Sequence, residues 1–185
     1  MSAKSKELCE QVYRNFAVQH EHYYGKMNGN ISSNAYIGIT RDFYDKVFSS
    51  PNDHTGLVSF EASKKSVKDC HDHFATPQFV ARIIFDNFED FRGVDGEKLF
   101  HELFNFCRRT IIVTGEQNRV LSSYTHNKNG EFFLHEGIVG RYLKEDYTIL
   151  HNEIGVIDTE TFLNILNVPD YILEKEKEYI LADVA

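Results

Sequence analysis

The chain has 185 residues, 42% of them hydrophobic and 26% charged, a composition that excludes disordered, collagen-like and coiled-coil classes and suits one domain with its own core. No apolar run approaches the ~18–20 residues that span a bilayer, and residues 1–10 are too polar for a secretory segment, so a cytoplasmic protein with no membrane partner is expected. The formal net charge of −8 lies mostly in residues 151–185, which carry −6 against +1 for residues 1–50 and −3 for residues 51–150, so bulk charge argues against a nucleic-acid partner but leaves room for a local basic face.

Leu8, Val12 and Phe16 recur every fourth residue and predict an amphipathic helix of about six turns, stopping at Gly25. Thr40 is the expected cap of a short helix with Phe43, Tyr44, Val47 and Phe48 on its inner face, ended by Pro51. Residues 57–61 and 67–73 alternate around a polar turn and read as a short antiparallel strand pair. Thr76-Pro77 opens a helix to about Phe88, with Val80, Ile83 and Ile84 inward and an Arg82–Asp86 pair at a four-residue spacing. Asp95 starts another, with Leu99, Leu103 and Phe106 on one face.

Residues 110–113 are β-branched and short, a buried strand, and Thr114-Gly-Glu-Gln117 has the form of a capping box that starts the next helix. Asn127 to Gly130 closes it; residues 132–134 and 147–150 are strand candidates. Asp158 caps a helix ending near Asn167, and Pro169 begins a last, charged one. The expected fold is a helix-rich, single-domain α+β protein with short antiparallel strands and acidic C-terminal helices over 158–182. Fifteen Phe and ten Tyr, with no Trp, would supply most of its core. Cys9, Cys70 and Cys107 lie too far apart for a CxxC pair, which argues against a disulfide framework or a cysteine zinc site.

The densest reactive cluster is Asp69-Cys-His-Asp-His73. A strand end carrying Asp-His offers a carboxylate for a divalent ion and an imidazole to take a proton from an attacking water. Such a site needs two further polar groups: an Asn that orients the His and a second ligand on a following helix. Asn118 and His126 are eight residues apart, about 80° of net rotation on a helix, so both can look to one side.

Asp72-His73, Thr114-Gly-Glu-Gln-Asn118 and the pair His126-Asn127 together resemble the HNH endonuclease family, particularly its small phage homing or site-specific members. The resemblance implies a ββα-metal core at about 57–127, with a helical insertion at 77–108, that hydrolyses phosphodiester bonds of duplex DNA, in the host cytoplasm if viral. It implies Mg²⁺ or Mn²⁺ held by Asp72 and by His126 or Asn127, with His73 as general base and Asn118 orienting it. Arg82, Arg108, Arg109 and Arg119 flank this site in sequence and, with Lys64 and Lys65, are the candidate backbone contacts.

Blander readings of the same residues stay open. Asp-His pairs are common at strand edges, Asn118 can be a surface residue, and the Lys64-Lys65-Lys68 group can be a solvated hairpin. Neighbouring Cys70 and His71 point to opposite faces of a strand, poor geometry for a nucleophile and its base. His20 and His22, two apart on a helix, cannot act together. The alternative to a nuclease is a non-catalytic acidic accessory protein that binds a protein partner.

Overall fold

The computed structural model describes residues 2–26, 32–64, 69–124, 137–145 and 147–182. It is a helix-rich α+β fold whose backbone contacts divide it into two compact units: Met1–Asn52 with Pro77–Arg108, and Asp53–Thr76 with Arg109–Ala185. The strand candidate at 132–134 and the turn at 127–130 lie outside the described residues.

The first unit is helical. α1 (Ala3–His20) is capped by Ser2, whose hydroxyl accepts from the Ser5 amide at 3.1 Å. It buries Cys9, Val12 and Phe16, then passes into a π-helical turn at Glu21–Lys26, so the helical path runs about as far as the spacing predicts. α2 (Ser33–Ser49) starts earlier than expected. Ser32 is its cap, while Thr40 sits mid-helix with its hydroxyl donating back to the carbonyls of Tyr36 and Ile37. A hydroxyl beside a helical run serves either role, and only the backbone decides between them.

α3 (Pro77–Asp86) opens on its proline and buries Val80, Ile83 and Ile84 as predicted, with Phe79, Ala81 and Phe85 as well. A 3-10 turn at Phe88–Phe91 leads to α4 (Gly93–Cys107). Gly96 permits that junction, because a Cβ there would lie 2.3 Å from the Phe91 carbonyl carbon. Phe16 is central to the core, its ring 5.7 Å from Phe85 and 5.8 Å from Phe100, both edge-on. Phe43 meets Phe104 in the same way at 5.6 Å. Edge-to-face contacts of this kind add to plain area burial. Burial pushes the Cys9 thiol up to about 12 and raises Cys107 too, so both are protonated core side chains.

The second unit holds a five-stranded mixed sheet in the order β2-β3-β1-β4-β5: β1 (Asp53–Ser59), β2 (Asp69–His73), β3 (Arg109–Thr114), β4 (Ile149–His151) and β5 (Gly155–Val156). The expected pair at 57–61 and 67–73 is thereby corrected. Residues 57–59 fall in β1 and 69–73 are β2, with 67–68 outside the described residues, but β3 lies between the two strands, parallel to β1 and antiparallel to β2. The reason is apolarity. Thr110-Ile-Ile-Val113 is the most β-branched segment and takes an interior place, while the polar Asp-Cys-His-Asp-His strand takes an edge. The long segment between β1 and β3 supplies the crossover a parallel pair requires.

β3 runs straight into α5 (Gly115–Ser123) through a complete capping box: Thr114 Oγ accepts from the Gln117 amide and Gln117 Oε1 accepts from the Thr114 amide. Ser59 on β1 also donates to Gln117 Oε1, at 2.6 Å, so one side chain ties β1, β3 and α5. Thr114→Ala is expected to cost about 1 kcal/mol, within the ~0.5–2 range for lost caps. Gln117→Ala should cost more, because it also strips the Ser59 acceptor. Urea unfolding of both variants checks the order.

α6 (Gly137–Lys144), α7 (Thr159–Leu166) and α8 (Asp170–Ala182) complete the unit. Asp158 caps α7 as expected, accepting from the Thr161 amide at 2.8 Å, and Asn167 ends it in the left-handed conformation (φ 43°).

Candidate functional site

β2, β3 and α5 form an antiparallel strand pair followed directly by a helix that packs beside both strands. The register sets Asp69 opposite Thr114, Asp72 opposite Ile111 and His73 opposite Thr110. Side chains alternate along β2, so Cys70 and Asp72 share one face while Asp69, His71 and His73 share the other.

Asp72 is buried, and its Oδ2 accepts from Arg141 Nη2 at 2.8 Å and from the Tyr142 hydroxyl. The same Arg141 nitrogen donates to the carbonyls of His73 (3.0 Å) and Phe74 (2.9 Å), and Nη1 reaches the Leu121 carbonyl at 3.5 Å. Arg141 therefore links the end of β2 to α5. Burial works against its charge, but the Asp72 carboxylate outweighs that and holds its pKa above the usual guanidinium value. Burial, with Asp72 close by, lifts the Tyr142 phenol well above its usual range, so it stays protonated and donates.

His73 is buried at the last position of β2. Asn118 is half-buried in the first turns of α5, one turn before Leu121. His126, Asn127 and Lys65 lie outside the described residues.

The basic candidates divide clearly. Arg108 is buried and donates to the Pro51 carbonyl and to Asn105 Oδ1, and Arg109 donates to the carbonyls of Ile165 and Leu166 at the end of α7. Their guanidinium groups are engaged with these protein carbonyls, where phosphate contacts were expected from the sequence. Burial lowers the Arg109 pKa, with Asp53 opposing. Arg82 lies 3.7 Å from Asp86, and Arg82 and Arg108 both belong to the helical unit. Arg119 on α5 is exposed, as is Lys64, which pairs with Glu61 at 2.6 Å.

Arg141 and Tyr142 were not among the sequence candidates. The signal available was one arginine inside the otherwise apolar Ile138-Val-Gly-Arg-Tyr-Leu143 segment of α6, a placement that calls for a buried acidic partner.

In an ion-binding role, Asp72 would offer Oδ1, since both hydrogen bonds the structure gives the carboxylate go to Oδ2. Arg141 and Tyr142 would then act as the outer partners that orient a ligating carboxylate. The Arg141 charge on the same carboxylate keeps any such site weak. Among the described residues no helix is long and apolar enough to cross a membrane. No family model, curated protein or solved structure matches this chain.

Proposed function

We propose that the protein is a divalent-metal-dependent DNA endonuclease of the HNH, ββα-metal kind. The observation that supports this reading is the succession of β2, β3 and α5, an antiparallel pair followed by a helix, with Asp72-His73 ending the first strand and Asn118 early on the helix. Asp72 Oδ1 and His126 or Asn127 would hold Mg²⁺ or Mn²⁺, which supplies a Lewis acid for a phosphodiester. His73 takes the proton of the attacking water, Asn118 orients it, and Arg119 and Lys64 contact the DNA backbone. The test is cleavage of mixed phage, plasmid and genomic duplex DNA with millimolar Mg²⁺ or Mn²⁺ against EDTA. Metal-dependent products are expected; their absence on every substrate overturns the reading.

A second reading is favoured by the Asp72–Arg141 ion pair, which already neutralises the carboxylate. Here the same hairpin and helix are a framework without chemistry, in an acidic accessory protein that binds a protein partner. A melting temperature unmoved by Mg²⁺ or Mn²⁺ favours it, because an ion that binds only the native state must stabilise that state.

A further inference from the structure

On the sheet face away from Asp72, His54 of β1 and His71 of β2 lean toward each other across β3. Their ring centroids are 4.8 Å apart with 46° between the planes, and both residues are exposed. His54 Nδ1 lies 3.1 Å from Thr110 Oγ1 on β3. In the tautomer that donates from Nδ1 to Thr110, the His54 ring is held in place and Nε2 carries the lone pair.

We propose that His54 and His71 form a two-imidazole site for a borderline first-row divalent ion: Cu²⁺, Ni²⁺ or Zn²⁺. The spacing is the first argument. Imidazole nitrogens bind such ions at ~2.0–2.1 Å, which puts each ring centre ~3.2 Å from the ion. Two rings at a square or tetrahedral angle then have centres about 4.5–5.2 Å apart, and 4.8 Å falls inside that interval. The second argument is the Thr110 contact, because ligating histidines are characteristically fixed through their other ring nitrogen. The third is rigidity: both histidines stand on strands paired to β3, His54 in register with Thr110 and His71 with Ile112.

Among the described residues no third His, Cys, Asp or Glu joins them to make a three-ligand group, so water takes the remaining positions. The water-held positions of an ion there are open to ligands from a substrate or partner. This site is independent of the nuclease reading. Imidazole suits Cu²⁺, Ni²⁺ and Zn²⁺, whereas Mg²⁺ and Mn²⁺ prefer the oxygens that Asp72 would provide.

The experiment is calorimetric titration of the full chain with Ni²⁺, Zn²⁺ and Cu²⁺ in a non-chelating buffer. The wild type is expected to bind one ion at a site weakened at least about tenfold in His54→Gln and in His71→Gln. Thr110→Val should weaken it about tenfold by freeing the His54 ring, and His22→Gln, on the other unit, should leave it unchanged. Metal-free melting curves show whether each variant folds. A readout that needs no variant is the Cu²⁺ electron paramagnetic resonance spectrum of the wild type, which should show two coordinating nitrogens. Binding that survives both histidine substitutions, a spectrum with one nitrogen or none, or no binding of any of the three ions up to ~1 mM overturns the proposal.

Discussion

Replacing Arg141 with methionine is expected to destabilise the sheet-bearing unit by about 3–5 kcal/mol, the cost of removing one partner from a buried ion pair. Methionine fills much of the volume, so the loss is chiefly electrostatic and hydrogen-bonded rather than a cavity. Among the described residues Asp72 keeps only the Tyr142 hydroxyl, and the carbonyls of His73 and Phe74 lose the donor they share. At ~2–4 °C per kcal/mol for a chain of this size, the melting temperature should fall by about 6–20 °C. Asp72→Leu should be similarly damaging, because it strands a guanidinium in a site where Arg141 is only 1% exposed.

The double variant Asp72→Leu/Arg141→Met should recover much of the loss, since an apolar pair of similar volume often replaces a buried ion pair at little cost. A double-mutant cycle by urea unfolding reads this as a coupling energy. Two single variants that each melt like the wild type would show that the pair does not hold β2 to α6.

Much of the fold was legible because its signals are local. Val12 and Phe16 mark the buried face of α1, with Leu8 half-buried at its edge, Pro77 opens α3, and Thr114-x-x-Gln117 and Asp158 cap α5 and α7 as written. The strand order was not legible. The alternation of 57–61 and 67–73 identifies two strands but says nothing about the β3 segment that separates them, which lies some 40 residues further on. Thr40 misled for a related reason, since a hydroxyl caps or back-bonds according to a backbone path that the pattern leaves undetermined.

The candidate site shows the same division. Asp72, His73 and Asn118 are readable as a motif within strands and a helix. The partner that fixes Asp72 is 69 residues away on α6, and no spacing rule connects the two. His54 was missed because an isolated histidine on a strand carries no signal until the register sets it opposite Thr110, with His71 across β3.

On the nuclease reading, replacing His73 with alanine is expected to slow metal-dependent cleavage of duplex DNA by about 10²–10⁴ while leaving DNA affinity unchanged, as removal of a general base does. A base acts on the water in the transition state and makes little contribution to holding the phosphate backbone. Arg119→Ala should do the reverse. It should weaken binding, flatten the log–log salt dependence by about 0.9 for one lost phosphate contact, and spare single-turnover chemistry at saturating protein. Single-turnover rates and salt titrations on the same substrate separate these two effects.

The His73 result also decides what the strand geometry means. Alternation sets the His73 side chain on the face opposite Asp72, the face that carries His54 and His71. His73 is still paired, with Thr110, so for one phosphodiester to engage both residues the nuclease reading requires the His73 side chain to turn around the end of β2. Wild-type cleavage that persists at full rate in His73→Ala would place the water-activating group elsewhere, even with the protein established as a nuclease. The metal-free melting curve of the variant separates lost chemistry from a lost fold, which matters for a side chain that is 6% exposed.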